Sequence, residues 1–303
     1  MAHPRFNGVL APVITPFRDD LTPDPALLGK HCRWLVSQGA GLAVFGTNSE
    51  ANSLNLLEKR GLLDSLSEEG IDPSQLMPGT GGCALTDAVE LTTHAVSLGC
   101  RGVLMLPPFY YKGVSDDGLF AFYAEVIERV ANEKLQIYLY HIPPISQVPI
   151  GFDLIQRLAA AYPASIAGIK DSSGDWNNTL QLNQLGIDDF RVFCGSESFL
   201  LQNMQNGGAG CISATANVNP AAINDLYENW QDEGADQKQA QLDQVRAIFQ
   251  SFPMIAALKA ATAQFAGEST WLRVRPPLVS LSGQELKKLI GELQGIGFQM
   301  PDI

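Results

Sequence analysis

Short runs of apolar, largely β-branched residues alternate along this chain with longer segments in which apolar positions recur every three or four residues. The runs read GVLAPVIT at 8–15, GLAVFG at 41–46, QLMPGTG at 75–81 and GVLMLPP at 102–108. They continue as QIYLYHIP at 136–143, SIAGIK at 165–170, RVFCGS at 191–196 and GAGCIS at 208–213. Most are apolar throughout, as parallel strands covered on both faces must be. The longer segments, at 25–39, 55–69, 84–99, 115–133, 151–162, 175–186, 197–206 and 219–231, predict helices. In the fourth of these, Leu119, Phe122, Tyr123, Val126 and Val130 form one stripe, which is core against a sheet. Ser115 precedes it as an N-cap, with Asp116 and Asp117 in the first turn favouring the helix dipole.

Eight strand–helix units predict an α/β fold, a closed (β/α)8 TIM barrel, over residues 1–232. A doubly wound open sheet is the rival on strand count alone. From 233 to 303 the pattern is only helical, which predicts a C-terminal helical appendage packed on the barrel. In a barrel, chemistry gathers where strands end and the following loops begin. Those ends carry Thr47-Asn48-Ser49-Glu50, Tyr110-Tyr111, Tyr140, Lys170 and Gly195-Ser196-Glu197.

Composition narrows the partners. The chain has 303 residues, 46% hydrophobic and 17% charged, an ordinary globular balance. A formal charge of −12 repels nucleic acid and anionic membrane, so neither is expected as a partner. The opening MAHPRFNGVLAPVITPF has no basic region followed by an unbroken apolar core, so no leader is expected. The longest uncharged stretch, 198–224, is rich in Asn, Gln, Ser and Gly and does not read as a membrane span. Five cysteines without a CxxC pair read as reduced thiols of a cytoplasmic protein. With four scattered histidines, no metal site is expected.

Lys170 ends an apolar run and precedes the turn Asp171-Ser172-Ser173-Gly174. An ammonium in apolar surroundings loses solvation, which favours the neutral amine, and a neutral amine attacks ketones. A phenol on the adjacent strand, Tyr140, suits the proton transfers that attack requires. Read blandly, Lys170 is a strand-end lysine reaching water and Tyr140 a satisfied core tyrosine. GTGGCA at 79–84 fits a dinucleotide fingerprint in form, but no acid lies between Glu90 and Asp116 to hold a ribose. Its glycines read better as tight passage from strand to helix.

GTNSE at 46–50, YYKGVSDDGLF at 110–120, YHIP at 140–143, GIKDSSGD at 168–175 and GGAGCISATANV at 207–218 occur together in one order. Over residues 6–293 the chain resembles the dihydrodipicolinate synthase and N-acetylneuraminate lyase family of pyruvate-dependent class I aldolases. The resemblance implies that Lys170 forms a Schiff base with pyruvate or another 2-oxo acid, with no further cofactor. It implies that Tyr140 relays protons and that Thr47 links Tyr140 to Tyr111, a phenol reaching a neighbouring subunit's site. Backbone N–H groups of Thr47 and Asn48 would hold the pyruvate carboxylate, Gly195 and Ile212 would line the pocket, and the assembly would be a homotetramer built as a dimer of dimers.

Two positions depart from the family pattern. Asn48 and Ser49 stand where the usual Gly-Thr-Thr-Gly-Glu has its second Thr and its Gly. Ile145 stands where the lysine-pathway synthases carry an arginine for the second substrate's carboxylate. The expectation is therefore a carbon–carbon lyase joining pyruvate and an aldehyde, a 4-hydroxy-2-oxo acid aldolase. Weak use of aspartate semialdehyde is expected, with an aldehyde part that is neutral, hydroxylated or apolar, or one whose carboxylate is caught elsewhere, for instance by loops after the seventh or eighth run. The alternatives are 4-hydroxy-tetrahydrodipicolinate synthase, using pyruvate and aspartate semialdehyde, and a non-catalytic 2-oxo acid sensor.

Overall fold

The computed structural model describes residues 4–303; residues 1–3, which begin both the opening stretch and the 1–232 segment, lie outside the described residues. Seven of the eight apolar runs form strands: β1 (Gly8–Ala11), β2 (Gly41–Leu42), β3 (Val103–Met105), β4 (Ile137–His141), β5 (Ile166–Asp171), β6 (Arg191–Cys194) and β7 (Gly210–Ile212). All pairings are parallel, in the order β2-β1-β7-β6-β5-β4-β3.

The run at 75–81 corrects the eight-strand expectation. It makes isolated parallel bridges, Leu42 with Leu76 and Gly79 with Leu104, and no strand. Pro78 has no N–H to give to a ladder. Gly79 runs so close to its neighbour that an added Cβ would lie 2.1 Å from the Phe45 carbonyl oxygen. This is the tight passage expected of the GTGG stretch. The segment nonetheless touches both edges of the sheet: Met77 N–H donates to Leu42 O (2.8 Å) and Leu104 N–H to Pro78 O (2.9 Å). The result is an α/β fold around a curled seven-stranded parallel sheet.

Helices follow the strands: α1 (Pro25–Ser37), α2 (Leu56–Glu68), α3 (Leu85–Ser97), α4 (Asp116–Val130), α5 (Pro143–Ser146), α6 (Phe152–Ala161), α7 (Trp176–Asn183), α8 (Leu200–Gln205) and α9 (Pro220–Glu228). The start signals act as read. Ser115 accepts the N–H of Gly118 at the head of α4, and Asn55 and Glu58 make a capping box on α2. The segment at 197–206 is shorter in helix than expected, because a 3₁₀ turn at Glu197–Phe199 takes its first residues.

Strand alternation divides the apolar residues into two sets. The larger set, with Val9, Val103, Ile137, Ile169 and Val192, packs against the helices. The smaller takes residues from every run, including Leu10, Ala43, Met77, Leu104, Tyr138, Tyr140, Ala167, Phe193 and Ile212. Residues 233–303 supply α10 (Ala235–Gln250), α11 (Met254–Ala266) and α12 (Gly283–Gly295). Phe249, Leu258, Trp271 and Leu289 from this part join the larger core with Leu28 and Leu35 of α1. Among the described residues no helix is long and apolar enough to cross a membrane.

Candidate active site

Lys170 and Tyr140 are register partners on β5 and β4, so both side chains stand on the face of the smaller core. Lys170 is only 3% exposed, and its Nζ lies 4.2 Å from the centre of the Tyr140 ring. It makes no ion pair and no side-chain hydrogen bond among the described residues. Lys259 on α11 offers a contrast: equally buried, it is bound to the Glu50 carboxylate and donates to Arg273 O at 2.7 Å. Burial pushes Lys259 down to about 8 against the pull of Glu50. One buried lysine is thus structurally engaged, and the other faces open space.

That space is a cavity of about 480 Å³, in the usual range for small-molecule sites. Thr47, Asn48, Tyr140, Ile145, Lys170, Gly195 and Ile212 all line it. The Thr47 and Tyr140 hydroxyls are 3.0 Å apart. Thr47 and Asn48 open a 3₁₀ turn (Thr47–Ser49), where first-turn N–H groups have no partner within the helix. Ser49 is accommodated where the family pattern has glycine. Its Oγ accepts from Gly46 N–H (3.1 Å) and its carbonyl accepts from Thr15 Oγ1 (2.7 Å). Gly195 admits no side chain, since an added Cβ would meet Asp171 O at 2.7 Å. Ile145, on α5, is 61% exposed and sits at the mouth.

Tyr111 is the expected site residue that this chain does not bring to the cavity. It is 72% exposed and packs edge-on against Tyr110. His141 and Asp171 alternate to the opposite sheet face. His141 Nδ1 accepts from Ile150 N–H at 3.0 Å, and the Asp171 carboxylate accepts from Ser173 N–H, Asn178 Nδ2 and Thr179 Oγ1. No cluster of three or more His, Cys, Asp or Glu suited to a metal occurs among the described residues.

Sequence reading missed two features. Glu50 accepts from Arg275 N–H (2.7 Å) besides pairing with Lys259, so α11 and the loop before α12 hold the 47–50 turn from behind. Glu197, noted only as a strand-end acid, is buried and accepts from Ser213, Thr215 and Arg246 of α10. Arg246 itself lines the cavity. No local motif announces it, because α10 reaches the site only through tertiary packing. A polar residue on the inward face of an otherwise apolar helical stripe would have been the one signal.

The dihydrodipicolinate synthetase family model matches residues 5–295. An uncharacterised DapA-like lyase of Chloroflexus aurantiacus is 32% identical over 297 residues, which cover 95% of this chain and 96% of that protein. The crystal structure of dihydrodipicolinate synthase from Agrobacterium tumefaciens has a TM-score of 0.88 at 31% identity, covering 95% of this chain and 99% of that one. YagE of E. coli K12, a prophage protein crystallised in complex with pyruvate, has a TM-score of 0.88 at 25% identity, covering 97% and 99%. Matched along nearly its whole length, the chain belongs to the dihydrodipicolinate synthetase family and is a carbon–carbon lyase.

Proposed function

We propose that this protein is a Schiff-base-forming aldolase that makes or cleaves the bond between pyruvate and an aldehyde, acting on 4-hydroxy-2-oxo acids. The observation that carries the reading is Lys170: buried, without an ionic partner, beside Tyr140 and open to the cavity. The likeness to YagE, crystallised with pyruvate, supports pyruvate as the nucleophilic partner. The 76–79 segment between β2 and β3 acts in this reading as the eighth stave of a closed (β/α)8 barrel, with residues 233–303 as an appendage.

In the proposed mechanism Lys170 Nζ attacks the 2-oxo carbon, Tyr140 protonates the resulting alkoxide, and water leaves to give the imine. The Tyr140 phenolate left when water departs takes a C3 proton to give the enamine, whose carbon attacks the aldehyde while Tyr140 protonates the new alkoxide. Hydrolysis restores the amine, and cleavage runs the same steps backwards. The unpaired N–H groups of Thr47 and Asn48 suit the pyruvate carboxylate. Thr47 Oγ1 holds the Tyr140 hydroxyl. The imine is the electron sink, so neither a metal nor another cofactor is needed.

The test is borohydride reduction with pyruvate after exhaustive chelation, read by mass spectrometry of peptides. One reduced pyruvate should appear on Lys170, and Lys170→Ala should trap none. An adduct on another lysine would sink the mechanism. Pyruvate release from a panel of 4-hydroxy-2-oxo acids then separates an enzyme from a 2-oxo acid sensor. The likeness to the Agrobacterium synthase favours a second reading, 4-hydroxy-tetrahydrodipicolinate synthase. Ile145 in the arginine's place opposes it. A kcat/KM for aspartate semialdehyde about tenfold above that of every panel acid would replace the first reading with the second.

A further inference from the structure

Arg246 stands out among the cavity's charged side chains. Its side chain is 13% exposed, on α10, far along the chain from the strand ends that carry Lys170 and Tyr140. Only Nη1 is engaged, donating to Glu197 Oε2 (3.2 Å) and Ser213 Oγ (3.3 Å). Nε is buried and makes no hydrogen bond, and Nη2 makes none among the described residues. Buried guanidinium donors are ordinarily satisfied, and the free Nη2 leaves one end of the fork for an anion. Glu197, held by Ser213 and Thr215, accepts from Nη1 and leaves Nη2 without a partner among the described residues. Gln239 of the same helix donates to Glu197 O (3.0 Å), which ties α10 to the 3₁₀ turn after β6.

The remaining charges leave the role open to Arg246. Asp171 is occupied by its three donors, and Lys170 is the proposed nucleophile. The pyruvate carboxylate has the 47–48 N–H groups. A chain with a formal charge of −12 repels a second anion unless a local cation receives it. Ile145 offers none.

We propose that Arg246 is the specificity residue for the aldehyde half of the substrate, binding a carboxylate at its far end, so that the preferred substrates are 4-hydroxy-2-oxo diacids. This rests on the aldolase reading above. It also revises where such a carboxylate was expected to be caught: α10, and not the loops after the last two strands.

The experiment compares cleavage of near-isosteric pairs: 4-hydroxy-2-oxopentanedioate against 4-hydroxy-2-oxopentanoate, and the six-carbon diacid 4-hydroxy-2-oxohexanedioate against 4-hydroxy-2-oxohexanoate. The quantity read is the ratio of kcat/KM, diacid over monoacid. The wild type should favour at least one diacid, and Arg246→Gln should lower that ratio by about ten- to a hundredfold, the scale of a lost charge-assisted hydrogen bond. Arg246→Lys should restore part of it through charge alone. A ratio unchanged in Arg246→Gln, with both substrates falling together, would make Arg246 a mere support for Glu197 and overturn the proposal. So would a wild type with no diacid preference, or one that cleaves neither series. The aldolase reading has its own separate failure, the absence of a pyruvate adduct on Lys170.

Discussion

Tyr140 is 3% exposed, and its hydroxyl has Thr47 Oγ1 for a neighbour. In the proposed mechanism it handles protons in both the addition to pyruvate and the aldehyde step, so its loss should be felt twice. Tyr140→Phe is expected to lower kcat by roughly a hundredfold or more, the scale of a general acid/base. Pyruvate should still be trapped slowly on Lys170, since the amine remains. Tyr111→Phe is expected to lose less, because it would act on Tyr140 through Thr47. Near-normal turnover of Tyr140→Phe in a steady-state assay would remove it from the mechanism.

At the scale of elements, the joint between α1 and the C-terminal region is an aromatic stack. The His31 ring lies 5.5 Å from that of Trp34 and 5.0 Å from that of Trp271. Burial pushes His31 down from 6.5 to about 3, with the Asn217 side chain pulling weakly the other way. The unfolded chain therefore binds this proton between pH 6.5 and 3 while the folded chain does not. Stability from this group is complete above 6.5 and falls as pH falls through that window. The slope is about 1.4 kcal/mol per pH unit once the unfolded histidine is charged. His31→Leu should accordingly show a smaller drop in Tm between pH 7 and pH 5 than the parent. Calorimetry at the two pH values reads this directly, and parallel drops in both proteins would exclude His31 as the acid-labile group.

At the scale of the molecule, apolar and aromatic side chains remain on the surface of the single chain. Leu57 (73% exposed), Tyr110 (74%) and Tyr111 (72%) are the largest examples besides Val279. Tyr110 and Tyr111 pack against one another, and an adjoining exposed aromatic pair suits a contact surface. In the homotetramer that the family resemblance implies, Tyr111 would be covered by a neighbouring subunit and would complete that subunit's site. Light scattering should give about four times the mass of one chain. Tyr110→Arg, which places a charge on that surface, should shift the mass down and lower activity with it. Full activity in a species that stays monomeric at assay concentration would remove both the tetramer and the role of Tyr111.

The helices, seven of the strands and the position of Lys170 at a strand end are legible in the sequence because each follows from a local pattern: a period of 3.6 residues in α4, and nearly unbroken apolar runs in β4 and β5. Lys170 and Tyr140 could be paired by resemblance and by strand alternation together, since β4 and β5 are neighbours. The run at 75–81 looked like the others because apolar content does not report pairing. Only the close passage beside Phe45 and the missing N–H of Pro78 reduced it to bridges. The Ser49 substitution was likewise undecided until its hydroxyl was seen to accept from Gly46. Arg246 and Lys259 lie beyond any local pattern. Each is one cation on a helix of the last 71 residues, and its meaning depends on which acid, Glu197 or Glu50, the fold sets against it. Local chemistry along the chain singled out Lys170 and its strand. Tertiary packing alone decided which charges meet across some fifty to two hundred residues of sequence, because a charge is felt through space and not along the chain.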